Sequence, residues 1–225
     1  MKADHDGQAV ERPILFSGPL VRAILEGRKT QTRRVCKPSW LRYLDPSEPE
    51  DHAAALAQCP YGQPGDRLWV RETFAQMWND EPCGCGVTFC PGHEHVEYRA
   101  DTGNPLPGEW PAELRGEPGS PRWRPSVHMP RWASRINLLV THVRLERLQE
   151  IGEADILAEG VDVTGHATPH EVWVDLWDSI NGKRDGGAYV WARNPWVWVV
   201  EFRRLEVGEA LRECEQQLTE SEAKR

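Results

Sequence analysis

Three stretches of this sequence carry residue types that can do chemistry. The first is Cys83-x-Cys85-x4-Cys90-x2-His93-x-His95. Thiolates and imidazoles are the standard zinc donors, and a structural zinc takes four of them. Cys83, Cys85 and Cys90 with His93 or His95 complete such a set, and Gly84, Gly86 and Gly92 permit the tight turns. Bound zinc would order a segment with almost no apolar residues of its own. A catalytic zinc would leave one position open to water. The alternative is a loop with free thiols. The second stretch runs from Trp123 to Arg135, where Trp123, Arg124, Ser126, His128, Arg131 and Trp132 mix flat rings with guanidinium groups. Such a mixture can stack a base and hold its phosphate. His128, flanked by prolines, is read as ordering its loop through the backbone, with acid–base work as the alternative. The third is Trp69, Arg71 and Glu72. On a strand Trp69 and Arg71 share one face and Glu72 takes the other with Val70. Arg71 then either holds a substrate anion or carbonyl, or forms a buried pair with a carboxylate.

Arginine is concentrated in two segments. One holds Arg22, Arg28, Lys29, Arg33, Arg34, Lys37 and Arg42 against the single acid Glu26; the other holds Arg122, Arg124, Arg131, Arg135, Arg144 and Arg147 against Glu146. Arg suits forked phosphate contacts and stacking on bases. The competing reading pairs these cations with the chain's many carboxylates. With 27 Lys+Arg against 35 Asp+Glu the net charge is −8, so any nucleic-acid contact must come from a local patch and not from the global field. There are 11 Trp against 4 Tyr and 4 Phe, and most of them are expected in the core, with one or two lining a pocket.

These groups need elements to hold them. Residues 1–12 read as a polar, disordered arm. Pro13 to Phe16 forms a short strand, Pro19 opens a helix that stops at Gly27, and Lys29 to Val35 reads as a strand. An insertion at about 37–63 carries a short helix over Asp51–Gln58. Arg67 to Glu72 is a strand, a second insertion covers about 79–126, and Val96 to Ala100 within it resembles another strand. Ile136 to Leu148 gives the longest strand signal. Helices follow at Gly152–Gly160 and Pro169–Ile180, the latter with Val172, Trp173, Leu176 and Trp177 at helical spacing. Trp196 to Phe202 closes the pattern, and 206–225 is a charged tail or helix. Strands with short helices on their connections indicate an α+β protein built on a small barrel or curled sheet. No apolar run reaches the roughly 18 residues of a membrane span, and the polar start has no signal-peptide core, so a cytoplasmic location is expected. Walker-type phosphate loops and dinucleotide fingerprints are absent, which disfavours nucleotide motors and dehydrogenases.

Several of these segments carry a family resemblance. Phe16-Ser17-Gly18-Pro19 through Gly27-Arg28-Lys29-Thr30-Gln31-Thr32-Arg33-Arg34 resembles the opening of an ASCH domain. Gly65 to Glu72, the acidic helix Gly152–Gly160 and the closing strand Trp196–Arg203 are similar to later parts of that family. Trp123 to Ile136 resembles a hallmark of larger members from bacteriophages and prophages, which implies a bacterial or phage-infected host cell. The resemblance spans roughly residues 13–205. It implies a PUA-like β-barrel with short flanking helices and a Cys/His-rich insertion, and a partner that is a modified nucleoside or a nucleic acid. Small ASCH amidohydrolases cleave the acetyl amide of N4-acetylcytidine, and their catalytic Lys, Thr and Glu match Lys29, Thr32 and Glu159. In that reading Thr32 attacks the amide carbonyl, Lys29 takes its proton and Glu159 supports Lys29. Arg28, Arg33 and Arg34 are neighbours able to lower the lysine pKa. Arg71 or the loop around His128 holds the substrate, and catalysis needs no cofactor. Two alternatives keep the fold without this chemistry: a binding module for RNA or for a modified base in phage or host nucleic acid, with Lys29 and Thr32 forming a phosphate-binding turn, and a virion assembly protein.

Overall fold

The computed structural model describes residues 9–37, 47–78, 94–102, 122–165 and 168–206. The chain divides into two compact units. The first is drawn from Met1–Arg12, Ala23–Trp69 and Ile136–Arg225, the second from Pro13–Arg22 and Val70–Arg135. The architecture is α+β. A five-stranded sheet has the order β1-β3-β6-β7-β2, built from β1 (Glu11–Leu15), β2 (Gln31–Val35), β3 (Arg67–Arg71), β6 (Asn137–Arg147) and β7 (Trp196–Arg204). Both β1 and β3 begin in the first unit and end in the second. Among the described residues β1 and β2 form the two edges and no closed barrel is present. β1 starts at Glu11, so Glu11 and Arg12 belong to the sheet and not to the arm expected over 1–12.

In the first unit, β6 and β7 form the spine. They pair antiparallel from Leu138↔Arg204 to Arg147↔Trp196, with a shift between Val140 and His142. That bulge has a purpose visible in the burial pattern. Leu138 and Val140 are buried before it, and Val143 and Leu145 after it. Strand side chains alternate strictly, so these two pairs would otherwise face opposite sides; the one extra residue, Thr141, brings both to the same side. β2 lies on the far side of β7, with Thr32 opposite Val200 and Arg33 opposite Val199. Val197, Trp198, Val199 and Val200 are all buried, which means that β7 is covered on both faces.

Val197 and Val199 pack with Leu148, Ile151, Ile156, Val161, Trp173 and Trp177 into one core cluster. The helices that cover them are α4 (Glu153–Ala158) and α5 (Pro169–Asn181). α5 forms because Thr168 caps it, its hydroxyl accepting the Glu171 N–H at 3.3 Å, while Pro169 supplies a preset φ at the first turn. Trp173 and Trp177, four residues apart, then share the buried stripe, and the Trp177 indole donates to Tyr189 O at 2.7 Å. The helix expected in the first insertion is α2 (Pro49–Leu56).

The second unit holds a hairpin of β4 (Phe74–Trp78) and β5 (Glu94–Tyr98), paired from Phe74↔Tyr98 to Trp78↔Glu94. α3 (Arg99–Thr102) follows directly. Phe74, Met129 and Ala133 make its core, with Val96 and Tyr98 against them. α1 (Gly18–Leu25) starts in this unit and ends in the first, where Gly27 takes a left-handed φ of 76°. Cys83, Cys85, Cys90 and His93 lie outside the described residues. His95 stands on β5 opposite Met77. Among the described residues no group of His, Cys, Asp and Glu is arranged to hold a metal. No helix among them is long and apolar enough to cross a membrane.

Candidate functional site

In the first unit the chain brings Lys29 and Glu159 together. Lys29 sits just ahead of β2 and forms an isolated antiparallel bridge with Glu159, the residue that caps the end of α4. Gly160 makes this approach possible. Its φ is +77°, and a Cβ there would fall 2.7 Å from Lys29 Cβ and 2.8 Å from Ala23 Cβ. Gly160→Ala is therefore expected to destabilise the protein by about 1–3 kcal/mol through overpacking and the left-handed backbone together. The shift of a urea denaturation midpoint measures it, and an unchanged midpoint would contradict this packing.

The ammonium of Lys29 donates to three acceptors: Gln31 O at 2.7 Å, Glu159 O at 2.8 Å and Glu159 Oε2 at 2.7 Å. Lys29 is 2% exposed and Glu159 is 3% exposed. Burial lowers the lysine pKa; the charge and hydrogen bond of Glu159 act against it, while Arg34 and Arg33 add to the lowering. A buried lysine in this state is the kind that serves as a base. Thr32, also buried, lies on β2 with Arg34 on its face, opposite Gln31 and Arg33.

Arg33 extends the Lys29–Glu159 pair into a network. Its guanidinium reaches Glu146 Oε1 at 2.5 Å, Asp155 Oδ2 at 2.6 Å and Glu159 Oε1 at 3.4 Å. Arg144 adds bonds to Asp155 at 2.8 Å, Glu146 at 3.2 Å and Glu201. Partial burial would raise the Asp155 pKa, but the hydrogen bonds and charges of Arg33 and then Arg144 outweigh it and hold the carboxyl below its ordinary value. Arg28 lies outside this network, paired to Glu26 and donating to Gly160 O at 3.1 Å. Burial lowers the pKa of Arg34 as well. Much of the basic charge read between residues 22 and 42 is thus matched inside the fold. Gly27, Arg28, Thr30, Leu157, Ala158, Val161, Asp162, Val163 and Thr164 line an open cavity of about 750 Å³.

The second unit holds another buried pair. Glu72, 1% exposed, accepts from Arg135 Nε at 2.9 Å and from a terminal nitrogen at 3.1 Å. Arg135 also donates to Asp101 at 2.6 and 2.8 Å and lies 3.9 Å over the Tyr98 ring. Burial raises the Glu72 pKa, against the hydrogen bonds and charge of Arg135. A buried carboxylate–arginine pair is thus made by Glu72, the residue that follows β3. Arg71 Nε donates to Met129 O at 3.1 Å. Trp69, in the first unit, is buried on β3 opposite Asn137. Trp123 is half-buried, whereas Arg124, His128, Arg131 and Trp132 are exposed.

Sequence reasoning did not single out Arg135, Asp101, Asp155, Glu146 or Arg144 as site residues. Their charges were visible in the sequence, but their partners lie far along the chain. Also missed was the thiol pair Cys36 and Cys59, both buried and free. Burial, with Cys59 adding to it, pushes the Cys36 pKa up to about 12, and burial pushes Cys59 up to about 11. Both therefore stay protonated and unreactive at neutral pH.

No family model matches the chain, and no curated protein does. Among solved structures, the DUF984-family protein EF3133 from Enterococcus faecalis V583 is similar at 11% identity, over 89% of this chain and 82% of its own, with a TM-score of 0.39. That likeness is too distant to bear on fold or function.

Proposed function

We propose that the five-stranded sheet is part of an ASCH-like, PUA-type barrel, and that the protein hydrolyses the N4-acyl amide of a modified cytidine. The observation that carries this reading is the contact between Lys29 and Glu159, 130 residues apart in sequence and 2.7 Å apart in space. Its chemistry fits the roles implied by the resemblance. Burial and the neighbouring arginines lower the pKa of Lys29 against the charge and hydrogen bond of Glu159, which brings the proton-accepting amine closer to reach than for an ordinary lysine. Thr32, three residues on, supplies a hydroxyl that is a weak nucleophile without such a base. Thr32 Oγ1 adds to the amide carbonyl carbon, its proton passing to Lys29 Nζ. Lys29 then returns that proton to the cytosine nitrogen as the C–N bond breaks. Water hydrolyses the resulting ester on Thr32, releasing the acyl group as its acid and restoring the hydroxyl. Glu159 holds the lysine in place throughout.

The test is chromatographic detection of cytidine and acetate released from N4-acetylcytidine. Wild-type protein is expected to turn the substrate over, and Thr32→Ala and Lys29→Ala each to lower kcat/KM by about 10²-fold or more. Because both residues are buried, Thr32→Ser is made alongside. It keeps the hydroxyl and is expected to keep turnover. A folded wild-type protein that leaves the amide intact would overturn the proposal.

A further inference from the structure

The structure points to a second candidate surface, within the second unit, and we propose that residues 122–134 form a platform for single-stranded nucleic acid. The argument does not depend on amide hydrolysis by the Lys29 pair. Trp132 is 56% exposed and Val127 is 53% exposed, large apolar side chains presented by the same short segment. Arg122, Arg124, His128 and Arg131 are exposed with them. Between residues 122 and 135 there is no acidic residue, although the protein carries a net charge of −8. Arg135, at the end of the segment, is taken up by Glu72 and Asp101; among the described residues neither Arg122 nor Arg124 has such a carboxylate partner.

The platform is held from beneath. Met129, 0% exposed, and Ala133 anchor it in the core with Phe74. Arg124 and Phe74 exchange backbone hydrogen bonds of 2.7 and 3.2 Å. Tyr98 donates to Ala133 O at 2.9 Å, Arg71 to Met129 O at 3.1 Å and Ser134 to Val70 O at 2.8 Å. Two 3-10 turns, Ser126–His128 and Arg131–Ala133, each follow a proline. Pro125 and Pro130 restrict the backbone ahead of each turn, so displaying these side chains requires little further ordering on binding. A flat, exposed indole with guanidinium groups, in a segment whose own sequence contains no acid, matches a chain of alternating rings and phosphates. Stacking on Trp132 is sequence-tolerant, and the arginines track the backbone. A duplex, with its bases stacked inside, offers Trp132 no face.

The test is fluorescence anisotropy with a labelled single-stranded RNA of about 12 nucleotides, a length within the range of such sites, and with its duplex. The wild type is expected to bind the single strand more tightly than the duplex. Trp132→Ala is expected to weaken binding about fivefold or more. Arg124→Ala is expected to lower the slope of log affinity on log salt by about 0.7, one phosphate contact on a single strand. Both replacements alter exposed side chains, and unchanged urea midpoints verify that the fold is intact. No binding by the wild type at low salt, equal affinity for the duplex, or unchanged affinity in Trp132→Ala overturns the proposal. So does wild-type self-association in sedimentation that Trp132→Ala abolishes without any oligonucleotide binding, which would assign the surface to a second copy of the chain.

Discussion

Replacing Arg135 with alanine is expected to destabilise the protein by about 3 kcal/mol, at the lower end of the range for breaking a buried ion pair. The lower end applies because the Arg135 side chain is 26% exposed, while that of Glu72 is 2% exposed. The loss arises mostly from what remains. Without Arg135 the Glu72 carboxylate has lost its charged partner and both of the guanidinium hydrogen bonds, and burial, with the like charge of Asp101 adding to it, then governs it. Its pKa in the folded protein is raised above that of the unfolded chain. A carboxyl with a raised folded pKa binds protons more tightly in the folded state. The variant therefore keeps more of its stability at acidic pH and loses it as pH climbs through and above the ordinary carboxylate range. Adding Glu72→Gln to Arg135→Ala is expected to recover part of the loss and to flatten this pH dependence, because an amide carries no charge to desolvate. Urea denaturation of the variants at several pH values checks each step. A loss that is the same at every pH would show that Glu72 is not the buried charge left behind.

Glu159→Ala gives the mirror image. The expected loss is about 3–5 kcal/mol, since Lys29 and Glu159 are both almost fully buried. This time the residual group is a cation. The Lys29 ammonium keeps the carbonyls of Gln31 and Glu159 but loses the carboxylate, and Arg33 loses one of its three carboxylates. Burial already holds the lysine pKa below its ordinary value, and removal of Glu159 lowers it further. A lysine whose folded pKa is depressed destabilises the folded state where it must carry charge. Stability of this variant is therefore expected to rise as pH rises toward the ordinary lysine range and to fall as pH drops through the lowered value. The opposite signs of the two pH dependences separate the sites in one set of denaturation curves. Combining Lys29→Met with Glu159→Ala should be milder than Glu159→Ala alone, because no unpaired cation is left at position 29. If the double variant were as unstable as the sum of the two single ones, the pair would not be coupled.

The two pairs also show where reading the residues succeeds and where it stops. Lys29 and Glu159 were matched through a motif at one end of the chain and an acidic helix at the other, and the fold does bring them together. Glu72 was read as the last residue of a strand, but β3 ends one residue earlier, at Arg71; its partner is 63 residues away, and nothing in the local sequence indicates Arg135 over any other arginine. Arg33 was read as a cation either for phosphate or for one of the chain's many carboxylates, with no sign of which. In the fold it lies buried among Glu146, Asp155 and Glu159, 113 to 126 residues distant. β4 escaped notice altogether, because Phe74-Ala-Gln-Met-Trp lacks a clean alternation and exists as a strand by pairing with β5.

What the sequence determined by itself is what short-range sterics encode. The helical spacing of Trp173 and Trp177, the capping Thr168 before Pro169, and the apolar runs of β6 and β7 each act within a few residues, and these elements stand close to where the pattern puts them. The tertiary structure alone decided the bulge at Thr141, the edges of the sheet, and the partner of each charge. It also decided which arginines are consumed inside the protein and which, like Arg122 and Arg124, remain on its surface. Those outcomes depend on which distant segments the topology brings within a few ångströms. A charged side chain carries no mark of its eventual partner, since Coulomb attraction acts on whichever opposite charge the fold delivers.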